Sequence, residues 1–121
     1  MLGDTLTLPH ADGDIVCSKI NQDAYSSEYL NRTATTETKV KVRHSNVKAN
    51  PTTGSPAKDR HNVEVTQTIF ATSEVAEYQR KFYVVVEQLP SDTDVKVADA
   101  LCDWLIASSD AKLVSLLGWE S

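Results

Sequence analysis

The stretch Thr38-Lys39-Val40-Lys41-Val42-Arg43-His44-Ser45 alternates basic and apolar residues with a period of two. Successive side chains of a strand point to opposite faces. Val40 and Val42 therefore share one face, and Lys39, Lys41 and Arg43 the other. The pattern predicts a strand buried on one side only. Two later runs repeat it. In the first, Val63, Val65 and Ile69 oppose Asn62, Glu64, Thr66 and Thr68. In the second, Phe82, Val84 and Val86 oppose Lys81, Tyr83, Val85 and Glu87. Together they predict a sheet with an aliphatic face and a second face of cations, hydroxyls and a tyrosine.

Upstream, Thr5–Leu8 alternates, residues 9–13 carry turn chemistry, and Ile15–Ile20 follows, so residues 4–20 read as a hairpin. Tyr25–Thr33 is a weaker strand. Residues 49–58 hold two prolines and a glycine and read as a loop, as do the polar residues 72–79 with Glu74 and Glu77. Past Pro90 the period changes. Ser91 is a candidate N-cap, with Asp92 and Asp94 in the first turn. Val95, Ala98, Leu101, Cys102 and Leu105 then form a helical stripe. Ser108-Ser109-Asp110 breaks it and caps a second helix, which carries Leu113, Leu116 and Leu117 and ends at Gly118.

The predicted fold class is α+β, a single domain over residues 1–121. An antiparallel sheet of six or seven strands, N-terminal hairpin first, occupies about 4–88, and two C-terminal helices occupy about 91–118. The helices are expected over the aliphatic face. A short helix pair covers such a sheet poorly and leaves its edge strands open. Edge-to-edge dimerisation, with helices crossing onto the partner's sheet, answers both problems.

Charge is divided along the chain. The total is −5, yet residues 37–60 carry a net +4 and residues 89–121 a net −4. This points to one attractive surface and one solvated surface. With 40% hydrophobic and 24% charged residues the composition is that of a folded domain. No apolar run approaches a membrane span, and MLGDTLTLPH has neither the basic nor the apolar region of a signal peptide. Cys17 and Cys102 show no metal or CxxC spacing, and both are expected as buried free thiols in a reducing cytosol.

Catalytic chemistry finds little support. His10, His44 and His61 lie in no metal or nucleophile–base spacing; His44 is expected on the covered face and His61 near a strand start. No glycine-rich phosphate loop occurs. Asp12-Gly13-Asp14 fits either two carboxylates on a calcium ion or an Asp-Gly hairpin turn, and the turn is favoured. Lys39, Lys41 and Arg43, with Thr66, Thr68 and Tyr83, fit a single-stranded RNA platform or a merely solvated, aggregation-resistant face.

Several segments also resemble a known family: Leu2–Thr7, Lys19–Tyr29, Lys41–His44, Arg60–Ala71 and Leu117–Ser121 are similar to coat proteins of single-stranded RNA bacteriophages. The likeness is strongest to the branch represented by a Caulobacter phage, and it runs nearly end to end. It implies a capsid protein and no enzyme: a homodimer sharing a ten-stranded sheet, with helices on the outer face and the basic face turned to genomic RNA. Dimers of the family close an icosahedral shell, and binding an RNA hairpin represses replicase translation. The loop at 72–79 would gather at symmetry axes. The implied RNA-facing residues are Lys39, Lys41, Arg43, Ser45, Thr66, Thr68, Lys81 and Tyr83. Glu64 and Glu87 share that face and weigh against strong hairpin specificity. The branch further implies calcium between subunits, with no ligands assigned, and a product made in the bacterial cytoplasm and housed in the virion. The alternative is a non-viral dimeric α+β nucleic-acid-binding protein.

Overall fold

A computed structural model describes residues 2–120. The chain forms two compact units, one up to Leu89 and one from Pro90. The first holds six strands: β1 (Thr5–Leu8), β2 (Ile15–Gln22), β3 (Ser26–Arg32), β4 (Thr36–Val47), β5 (Lys58–Ile69) and β6 (Tyr78–Gln88). They lie side by side in chain order, each antiparallel to the next. The expected six or seven strands resolve as six.

Local chemistry sets the turns. His10 C=O accepts from Gly13 N–H at 3.1 Å, and Asp14 Oδ1 accepts from His10 N–H at 3.1 Å. Gly13 has φ +137°, a backbone state that side-chain-bearing residues rarely adopt. At the β2–β3 turn, Asp23 Oδ1 accepts from the Tyr25 and Ser26 amides, each at 2.8 Å, and Oδ2 from the Ser26 hydroxyl at 2.8 Å. Hydrogen bonds from Tyr25 N–H and Ser26 hold the Asp23 carboxyl below its ordinary pKa. The β4–β5 connection carries one bridge, Asn50 to Ser55. The β5–β6 connection is tied at Thr72, whose hydroxyl accepts from Val75 N–H at 3.1 Å.

The core sits on the aliphatic face and is small. Cys17, Tyr29 and Val40 are fully buried and Val42 nearly so, with Leu6, Leu8, Ile15 and Val65 packed against them. The N-terminal hairpin itself thus seals the middle of the sheet. Tyr29 spans this junction: its ring lies in the core and its hydroxyl donates to Gly3 C=O at 2.8 Å. Asn31 Nδ2 donates to Val16 C=O at 2.8 Å across the same junction. Each large apolar side chain buried in this way contributes about 1.5–3 kcal/mol. On β6 the same alternation seals nothing: Phe82 is 52% and Val84 41% exposed.

The second unit corrects two expectations, at Ser91 and at Cys102. Two helices were expected; the structure has one helical element, α1 (Lys96–Leu117), whose backbone leaves helical geometry at Ala107–Asp110. Ser108, Ser109 and Asp110 have positive φ there, so the break falls on the polar triplet picked out by sequence. Ser91 is not the N-cap. The helix starts at Lys96, whose amide donates to Asp94 Oδ1 at 2.9 Å, after Asp92 Oδ1 accepts from Asp94 N–H at 3.0 Å. Short carboxylates bonding the backbone two residues on hold residues 92–94 out of the helix. Cys102 is exposed, whereas Cys17 is buried as expected and its thiol is pushed up in pKa by burial. No residue of α1 is buried within this unit. The element ends at Gly118 as expected. It is not long and apolar enough to cross a membrane. In the first unit, His44 lies on the aliphatic face but is exposed.

Candidate nucleic-acid interface

Register builds the basic face. Three cross-strand rows run over β3, β4, β5 and β6: Leu30–Lys39–Thr66–Lys81, Glu28–Lys41–Glu64–Tyr83 and Ser26–Arg43–Asn62–Val85. A fourth, Ser45–Arg60–Glu87, spans β4 to β6, and Thr68 joins Glu37 and Gln79 at the other end. Directly paired residues share a face. Lys39, Lys41, Arg43, Ser45, Thr66, Thr68, Lys81 and Tyr83 therefore lie on one surface. Tyr83 is 62% exposed, its ring open to stacking.

This surface is an interleaved charge array. Glu64 sits at its centre, with Oε2 2.6 Å from Arg43 Nη2 and Oε1 3.0 Å from Lys81 Nζ. Lys41 Nζ lies 3.8 Å from Glu28 Oε1, and Arg60 Nε 3.6 Å from Glu87 Oε1. The Lys81 hydrogen bond, followed by the attraction of Lys81, Arg43 and Lys41, outweighs desolvation and holds Glu64 below its ordinary pKa. Lys39 has no carboxylate within ion-pair reach among the described residues. A phosphate arriving here meets Lys39 uncompensated and must compete with carboxylates for the other cations. That favours contact with many phosphates over tight recognition of one.

The structure adds residues that sequence reasoning left out. At one end of the face, a cleft of about 610 Å³ is lined by Tyr25, Ser26, Arg43, Ser45, Arg60 and Asn62, among others. The Asp23 turn presents Tyr25, which is 69% exposed, at its rim. Asn62 Oδ1 is buried without a hydrogen-bond partner. An aromatic ring, two guanidiniums and an unsatisfied amide suit an unstacked base with its phosphate. The available signal was the length of β5: it begins at Lys58, so Arg60 is a strand residue and faces Ser45.

Asp12 and Asp14 lie in the β1–β2 hairpin turn. Asp14 Oδ1 accepts from the His10 amide and Asp12 Oδ2 lies 3.7 Å from His10 Nδ1, so both carboxylates serve the hairpin turn. Two such groups fall far short of the six to eight oxygens calcium takes. Among the described residues no three His, Cys, Asp or Glu side chains come together as a ligand set.

Six antiparallel strands followed by a helical element match the fold of solved bacteriophage coat proteins. The virus-like particle of bacteriophage AVE019 matches with a TM-score of 0.70 at 12% identity, covering 94% of this chain and 94% of that one. The bacteriophage EMS014 coat protein matches with a TM-score of 0.62 at 15% identity, covering 86% and 72%. An unassembled virus coat protein dimer, described as a bacteriophage RNA-binding dimer, matches with a TM-score of 0.56 at 10% identity, covering 97% and 94%. No curated protein sequence matches. The family model of the phage phiCb5 coat protein matches residues 3–89, and this chain belongs to that family. It is a coat protein, a structural rather than an enzymatic class.

Proposed function

We propose that this protein is the capsid subunit of a single-stranded RNA bacteriophage, dimerising through the β6 edge and packaging genomic RNA against its ionic sheet face. The observation that carries the reading is the segregation of β4–β6: one face holds the cation array with Lys39 unpaired, and the other is aliphatic. An eleven-residue edge strand with exposed Phe82 and Val84 is a template for a second copy. Pairing two such edges yields the shared ten-stranded sheet, each helical element covering its partner's aliphatic face. Dimers then close an icosahedral shell, with RNA inside. Repression of replicase translation through an RNA hairpin belongs to the same reading, as does calcium bound between subunits that pool their carboxylates. Synthesis occurs in the host cytoplasm.

The test is the triple substitution Lys39→Ala, Lys41→Ala, Arg43→Ala. Dimers should stay folded while purified particles lose RNA, and the salt dependence of RNA binding should flatten by up to about three ions' worth of slope. Particles that package RNA normally would show the sheet face to be misassigned. Sedimentation giving dimers and never particles would support a non-viral nucleic-acid-binding dimer instead.

A further inference from the structure

His44 of β4 and His61 of β5 stand directly opposite one another on the aliphatic face, and His44 also lines the cleft at the end of the ionic face. Their Nδ1 atoms are 2.9 Å apart, with ring centroids at 5.1 Å and ring planes at 69°. Both residues are exposed. At this separation the two Nδ1 atoms make one hydrogen bond, one ring donating and the other accepting according to tautomer. Among the described residues neither ring has a carboxylate ion-pair partner. Asp59, which shares their face, accepts instead from Asn46 Nδ2 at 3.3 Å.

We propose that His44 and His61 form a two-imidazole chelate for a divalent transition metal of tetragonal preference, Cu²⁺ or Ni²⁺. Nitrogens bound cis to one ion at about 2.0–2.1 Å stand roughly 2.9 Å apart, whereas a tetrahedral ion opens them to about 3.4 Å. The observed spacing matches the cis arrangement with little ring movement. The exchange balances simply: the shared Nδ1–H bond breaks, its proton passes through water to Nε2 of the same ring so that both imidazoles stay neutral, and two metal–nitrogen bonds form with no change of oxidation state. Water completes the coordination. The cross-strand tie joins β4 to β5 beside their long connection.

Calorimetric titration of the full chain with NiCl₂ and CuCl₂ tests this. Wild type should bind one ion per chain, at least tenfold more tightly than His44→Ala or His61→Ala. The electron paramagnetic resonance spectrum of bound Cu²⁺ should show coupling to two imidazole nitrogens. The double variant His44→Asn, His61→Asn keeps polar side chains on both strands; it should unfold like wild type without metal, yet gain no thermal stability from Ni²⁺. Wild type that binds neither ion overturns the proposal. So does a double variant that binds like wild type, since His10, Cys102 and the terminal amine would then be the ligands.

Discussion

β4 and β6 are written in nearly the same hand and meet opposite fates. Both alternate large apolar residues with polar ones, and both aim the apolar set at the same side of the sheet. On β4, Val40 is completely buried and Val42 is 5% exposed; on β6, Phe82 is 52% and Val84 41% exposed. The difference comes from position. β4 lies under the N-terminal hairpin, whose Leu6, Leu8, Ile15 and Cys17 close over Tyr29 and Val40, while β6 is the last strand of the sheet. Alternation assigns a face; only a neighbour turns that face into a core. The exposed aliphatic face of β6 is the surface that the proposed dimer would cover.

The sharpest way to break this comparison is a matched pair of charges. Val40→Asp buries an uncompensated carboxylate and should cost at least about 3 kcal/mol, leaving little folded protein by circular dichroism. Phe82→Asp should leave the sheet folded and abolish dimers in sedimentation. Similar behaviour of the two variants would show that β4 and β6 do not differ in the way described.

A smaller effect is expected on the ionic face, at its central carboxylate. Glu64→Gln releases Arg43 and Lys81, so RNA affinity should rise severalfold at low salt and the salt slope should steepen by up to about two. Acid should act in the same direction. The folded pKa of Glu64 is depressed, so its ion pairs contribute fully above the ordinary glutamate value of about 4.3. That contribution fades as pH falls through the lower folded value. Wild-type particles should then show an acid-dependent gain in RNA retention that Glu64→Gln lacks. Equal retention profiles would remove Glu64 as the counterweight.

The smallest effect belongs to the hairpin that seals β4. Gly13→Ala meets no steric neighbour, but it places a side chain at φ +137°. It should lower stability by about 1 kcal/mol in denaturant titration. A neutral result would mean that the β1–β2 turn relaxes without loosening the cover over Val40.

Much of the ionic face was legible because it is a local property. A strand alternates sides at every residue, so Lys39, Lys41 and Arg43 had to share a surface once the segment was a strand. Thr66, Thr68, Lys81 and Tyr83 followed by the same rule. The cleft was not legible, because it depends on Arg60 being drawn into a β5 longer than its apolar core suggests. The start of α1 was missed for a similarly local reason: Asp92 and Asp94 bond backbone amides ahead of the helix rather than inside it.

By itself the sequence determined the strand periods, the two faces, the change to helix past Pro90 and the break at Ser108–Asp110, since each follows from nearest-neighbour backbone geometry. Tertiary structure alone decided which cation meets which carboxylate, which valines are sealed and which histidines touch. Those depend on register and on the path of a distant hairpin. A shift of one residue in pairing would leave every composition and period unchanged while parting Arg43 from Glu64 and His44 from His61.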